Sequence, residues 1–360
     1  MSTILTIDGM SSLLRTLGDR VIYSGRIQNP PRLDEAEVRE GLRNARLLTI
    51  QFSEAKAYAG DILKDVDHLC RVFDDRLCIR FYGHYGSTFD MRVLRRIPHV
   101  KSLLVDCLTQ VDNVEVLSEL EHLRGLTLGI FALNKPDILA SANLTGLRKL
   151  IVVDARKNTI DLAPVGDMAG LTDLNVCGHS RNIDAVGRLQ NLQSLSLNIG
   201  RQVGLEFVNH LKALRHLKLI LGGRDNIDEL TGEAIETLEI IRVRGFSRFD
   251  HLPQWRSLKR LFVEDQIQLP SLRFSVAMEH LEYLRVLNCK TLAALNDLGA
   301  LPKLCHLRVY GTAVDFDDLC RQGLPKSLRQ LAFFTGKTKA DKVLEQRILQ
   351  MGYFINDVDV

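Results

Sequence analysis

The segments LEHLRGLTL, LTGLRKLIV, MAGLTDLNV, LQNLQSLSL, LKALRHLKL, WRSLKRLFV, MEHLEYLRV and LPKLCHLRV all read apolar-x-x-Leu-x-x-Leu-x-apolar. An α-helix returns its apolar face every 3.6 residues and cannot sustain a spacing of three, whereas a spacing of two belongs to a strand. In MEHLEYLRVLNCKTL, Met278, Leu281 and Leu284 step by three and Val286 by two. A short strand entered and left through turns satisfies both steps. Strand-opening apolar residues at Ile79, Leu103, Leu126, Leu150, Leu174, Leu195, Leu217, Ile241, Leu261, Leu284, Leu307 and Leu331 recur with a mean step of about 23 residues, the self-similarity of a solenoid.

One such unit has nothing to pack its inward side chains against until a neighbour stacks beside it, so the array folds only as an array. The return segment LAALNDLGAL places Leu292, Leu295, Leu298 and Leu301 every third residue. Strict period three suits 3₁₀ turns, where residues i and i+3 eclipse.

Residues 77–336 resemble a leucine-rich repeat protein of the short-repeat class that includes bacterial internalins and the phosphatase-regulator type. The resemblance implies an α/β fold: a right-handed solenoid, horseshoe or arc, with a parallel sheet on its concave face. The family commonly puts Asn or Cys at the turn after the strand. Here that position holds Leu108, Phe131, Ala155, His179, Gly200, Gly222, Phe246, Gln266, Cys289, Thr312 and Gly336, of which Cys289 and Thr312 suit it. Less uniform turns follow, with other donors or water satisfying the backbone. The stretch GEAIETLEIIRV (232–243) and the short step from Ile241 to Leu261 break the period.

The end repeats of a solenoid expose an apolar cross-section that must be covered. Residues 1–76 read as an N-terminal α/β cap: a helix opening at Asp34, a strand LLTIQF (47–52), and a second helix over 57–73. Residues 337–360 read as a C-terminal helical cap, with KADKVLEQRILQMGYF (339–354) carrying Val343, Leu344, Ile348 and Leu349 at helical spacing.

Lys+Arg number 47 against Asp+Glu 44, so no global charge draws the chain to nucleic acid or membrane. Seven cysteines, odd in number and without a C-x-x-C pair, indicate neither a disulfide framework nor a zinc site, and place the chain in a reducing compartment. The N-terminal MSTILTIDGMSSLLRTLGDR lacks a basic segment followed by an apolar core, and no run reaches the length of a membrane span. A soluble, cytoplasmic monomer is the expectation. Neither H-E-x-x-H, P-loop, G-x-S-x-G nor kinase signatures occur, so the reading is non-enzymatic, with no cofactor, metal or small-molecule substrate. The ligases that combine such repeats with a catalytic domain need more residues after Leu331 than this sequence offers. Asn143-Leu144-Thr145 matches a glycosylation sequon, but Leu144 belongs to the repeat frame.

Side chains between the strand leucines alternate onto the outer face. Over the last five full repeats these positions read His216, Lys218, Ile220; Ile240, Arg242, Arg244; Arg260, Phe262, Glu264; Tyr283, Arg285, Leu287; and His306, Arg308, Tyr310. Basic residues outnumber the single acidic one, and Phe262, Tyr283 and Tyr310 supply aromatic anchors of the kind enriched at interface hot spots. The site expected from sequence is therefore Lys218, Arg242, Arg244, Arg260, Phe262, Tyr283, Arg285, His306, Arg308 and Tyr310, gripping an acidic protein partner. A bacterial immunity protein neutralising a toxin, and an effector binding a host protein, are alternatives of the same class. Arginines interleaved with aromatics also suit single-stranded nucleic acid, which the balanced total charge disfavours.

Overall fold

The computed structural model describes residues 24–43, 45–153 and 159–355; the N-terminal segment and turn position Ala155 lie outside these residues. The chain forms two compact units that divide after Leu171, with Arg181–Ile183 belonging to the first.

Among the described residues, the first unit contributes six parallel strands to the main sheet: β1 Ser24–Gln28, β2 Leu47–Phe52, β3 Leu77–Gly83, β4 Ser102–Leu108, β5 Gly125–Ile130 and β6 Lys149–Val152. Ile27, Ile50, Ile79, Leu103, Leu126 and Leu150 stand opposite one another along the ladder. Two strands therefore pair in register ahead of position 77. A bulge in β4 leaves Cys107 as an extra residue at φ 53°.

Among the described residues, the second unit contributes eight to its main sheet: β7 Asp173–Cys177, β8 Ser194–Asn198, β9 His216–Ile220, β10 Thr237–Ile241, β11 Arg260–Glu264, β12 Tyr283–Leu287, β13 His306–Tyr310 and β14 Gln330–Phe334. All pair in parallel, with Leu174, Leu195, Leu217, Leu238, Leu261, Leu284, Leu307 and Leu331 in one row. The register mark in β10 is thus Leu238, not Ile241. With it the steps on either side become 21 and 23 residues, and the irregularity expected there disappears.

Inward residues of the strands from β2 onward are sealed: Ile79, Leu103, Leu195, Leu284 and Val286 have no exposure. Burying each such side chain is worth roughly 1.5–3 kcal/mol. Leucines of the return segments close the core from behind, as the three-residue spacing requires, and 3₁₀ turns recur there, among them Met91–Arg96, Val114–Glu119, Ala163–Asp167 and Glu206–His210. In the MEHLEYLRV unit the return is a two-strand pairing of Ser271–Arg273 with Ala294–Asn296, then a 3₁₀ turn at Leu298–Ala300. Asn143 spends its side-chain amide on Leu117 and Leu120 carbonyls, at 2.7 and 3.2 Å.

The residue immediately after several of these strands turns left-handed: Gly178, Leu221, Arg242, Asp265, Asn288 and Gly311 have φ between 51° and 78°. Two residues beyond the strand end, Gln266 donates to the Ile240 and Glu264 carbonyls at 3.2 and 2.6 Å. Cys289 points its thiol at Val263 and Leu287 carbonyls in the same manner. Gln266 does the work the family gives to asparagine, which the residue type alone did not suggest. In β10's repeat this position is Val243, not Phe246.

Helix α1 (Glu35–Gly41) starts at Asp34, whose carboxylate accepts from the Glu37 amide at 2.8 Å. Helix α2 spans Ile62–Phe73, shorter than expected because Ala59 is extended and Gly60 left-handed at φ 75°. A short helix α3 (Phe316–Arg321) occupies one return segment. The C-terminal helix α4 (Thr338–Gln350) ends before Gly352 at φ 86°. Phe354 then runs beside β14, accepting from the Leu331 amide and donating to the Arg329 carbonyl, both at 3.0 Å, which covers part of the edge.

Candidate functional site

On the outer face of the second unit, three rows of side chains run across the strands. The first is His216, Thr237, Arg260, Tyr283, His306 and Gln330; the second is Lys218, Glu239, Phe262, Arg285, Arg308 and Ala332; the third is Ile220, Ile241, Glu264, Leu287, Tyr310 and Phe334. The register of β10 moves three of the expected positions. Thr237, Glu239 and Ile241 face outward, Ile240 is wholly buried, and Arg242 and Arg244 lie past the strand end. Arg242 is the left-handed turn residue and pairs with Asp265 at 2.7 Å; Arg244 bridges to Gly223.

Glu239 changes the electrostatics of this face. It is 1% exposed and accepts from His216 Nε2 at 2.8 Å, while Lys218 Nζ stands 2.8 Å from its other oxygen. That oxygen has no aligned hydrogen bond, so the lysine contact is a charge contact. Burial would raise the Glu239 carboxyl, but the His216 hydrogen bond and the Lys218 charge outweigh it and hold the group below the ordinary carboxylate range. Lys218, itself 5% exposed, is committed inside the molecule.

What remains is an aromatic row with cations on it. Phe262 and Tyr283 have ring centroids 5.2 Å apart, Tyr283 and His306 stack at 5.5 Å, and the Arg285 guanidinium lies 5.1 Å above Phe262. Tyr283 and His306 are directly paired on adjacent strands, whereas Phe262 stands opposite Arg285 and meets Tyr283 diagonally. Arg285 also reaches Glu264 at 3.4 Å. Arg260 and Arg308 stand half-buried on the same face, and Tyr310 is 38% exposed. Burial and the nearby Arg260 hold the His306 imidazole below its ordinary pKa, with Glu282 opposing. Cys305 Sγ lies 3.0 Å from His306 Nδ1.

Of the ten residues named from sequence, seven therefore share this patch, Lys218 is locked beneath it, and Arg242 and Arg244 are outside it. Glu239 and Ile241 were missed because GEAIETLEIIRV offers two apolar frames, and only strand pairing selects between them.

On the first unit's outer face the buried charged centre is Arg80, with Arg26 on β1 and Lys149 on β6 exposed at the flanks. Arg80 Nε donates to Asp106 at 2.7 Å, its Nη1 to Gln51 at 3.0 Å, and its guanidinium lies 4.3 Å from the centre of the Tyr82 ring. Arg80 and Asp106 are each 4% exposed. Burial raises the Asp106 carboxyl, with Arg80 and Arg26 opposing. Carrying the same outward positions through the first unit to β4 and β3 exposes this pair in the sequence.

No protein-family model matches the sequence, and no curated protein does. Among solved structures, the chain is similar to a leucine-rich repeat protein of Leptospira interrogans at 16% identity, over 91% of this chain and 93% of that one, with a TM-score of 0.51. The fold is a leucine-rich-repeat solenoid. An internalin of Listeria monocytogenes is similar at 18% identity over 72% of this chain and 68% of its own, with a TM-score of 0.41. At 16% identity the likeness to the Leptospira protein speaks for the leucine-rich-repeat architecture alone. Among the described residues no helix is long and apolar enough to cross a membrane, and no cluster of His, Cys, Asp and Glu is arranged to hold a metal.

Proposed function

We propose that this chain is a non-enzymatic protein-binding module whose second unit grips an acidic protein surface with the outer face of β11, β12 and β13. The observation that carries the reading is the ring cluster of Phe262, Tyr283 and His306 with Arg285 laid on Phe262. Stacked rings held by a sheet are rigid, so a partner gains desolvated contact area at little cost in side-chain entropy. Arg260, Arg285 and Arg308 give the patch its sign, and Tyr310 provides an exposed edge. Lys218, Arg242 and Arg244 take no part: the first is spent on Glu239, and the other two lie past the end of their strand.

The test is affinity capture from the source organism's lysate, with captured proteins identified and their isoelectric points compared. The R260E/R308E variant should lose the acidic partner at least tenfold, while R242E/R244E keeps it. Equal capture by both variants, with unchanged circular dichroism, would remove the assignment.

A further inference from the structure

Arg80 is unlike the other buried cation of the sheet faces. Lys218 meets a carboxylate that is itself held by a histidine. Arg80 bonds Asp106 through Nε only, and Gln51 through Nη1. Its Nη2 is buried and meets no acceptor. A buried donor left unmade is destabilising, and a guanidinium is built to hold a two-oxygen acceptor in its fork.

The surroundings are shaped for one. β5 contributes Gly125 and Gly129 to the outer face, and Gly129 stands opposite Asp106; a Cβ there would come within 3.0 Å of the Asp106 Cβ. The floor beside the carboxylate is thus clear of side chain. Arg26 and Gln28 of β1 stand exposed at the rim, and Gln28 accepts from Gln51 at 3.3 Å. Arg26 and Arg80 against Asp106 leave one positive charge in excess. The half-buried Tyr82 ring lies across the guanidinium face.

We propose that Arg80 is the base of a carboxylate-binding subsite on the first unit's outer face. The ligand carboxylate accepts from Nη2, Tyr82 turns aside to admit it, and Arg26 supplies the balancing charge at the rim. One planar monoanion matches both the single free donor edge and the single excess charge. A dianionic phosphate would bring more negative charge against Asp106 than Arg26 and Arg80 leave in excess. The site is separate from the aromatic patch of the second unit and does not depend on it.

The test uses the full chain labelled with ¹⁵N-arginine, following the Arg80 Nε–H resonance at constant ionic strength. Acetate, N-acetyl-alanine and N-acetyl-glutamate α-amide present a free carboxylate, a chain terminus and an acidic side chain; N-acetyl-alaninamide is the uncharged control. At least one carboxylate should move the Arg80 resonance saturably and the amide should not, the most effective probe naming the source. Arg80→Lys, which keeps the charge and removes Nη2, should weaken that probe at least tenfold in calorimetry. Tyr82→Ala should strengthen it severalfold, and carries the test alone where Arg80→Lys fails to fold. A silent Arg80 resonance in both wild type and Tyr82→Ala would overturn the proposal in favour of a bound water on Nη2. So would an equal response to the amide, or undiminished binding by a folded Arg80→Lys.

Discussion

Replacing Glu239 by Leu should be among the most damaging single changes in the second unit. The carboxylate is 1% exposed, and the side chains it serves, Lys218 and His216, are only 6% and 14% exposed. Deleting it strands a buried ammonium, which costs about 3–5 kcal/mol. Replacing a buried pair together with apolar groups is often neutral or better, so K218M/E239L should recover most of that loss. The residual deficit is the His216 nitrogen left without its acceptor, worth about 1–3 kcal/mol. The assay is urea unfolding followed by the fluorescence of Trp255, the sole tryptophan, which is 1% exposed in the same unit. The midpoint should fall steeply in E239L and return toward wild type in the double variant, with an unchanged slope. Acid should show the same cluster. Because the folded-state pKa of Glu239 is depressed, its contribution is complete above the ordinary 4.5 and is lost as pH falls through the folded value. The gap between wild type and E239L should therefore narrow below that pH. A double variant less stable than E239L would refute the reasoning, since Lys218 would then be stabilising without its partner.

Gln266→Leu should cost about 1–3 kcal/mol, because the Ile240 and Glu264 carbonyls lose their shared donor; Asn at 266 should cost less, and urea midpoints decide between them. Gly232→Ala should prevent normal packing of the second unit: at φ 64° a Cβ would sit 2.0 Å from Trp255 Cδ2, so the tryptophan emission should move to the red in native buffer. Arg242→Asn should leave stability unchanged or raise it by up to about 1 kcal/mol, because Asn tolerates the left-handed turn better and the lost Asp265 pair is exposed. The same variant should capture the partner as wild type does.

The period of the leucines was legible because it is dictated by geometry that every repeat must obey. One strand, two turns and an eclipsed return leave a mark in each unit, and an error in one unit is corrected by its neighbours. The outer face has no such redundancy. Its side chains answer to the residue beside them on the next strand, so a three-residue slip in one repeat replaced Glu239 with Arg242 and turned a neutralised cluster into an apparent stripe of cations. The same slip misplaced one turn position, since Val243 joins Gln266 and Cys289 only once Leu238 is the mark. A reading of charge across a solenoid is therefore only as good as its worst-registered repeat. What survived the slip is the part whose residues contact one another across strands of strong register: Phe262 on Tyr283, Tyr283 on His306, and Arg285 on Phe262. Mutual stacking depends on correct pairing at every step. That dependence is why this row, rather than the count of basic residues, is the feature on which a binding role should be judged.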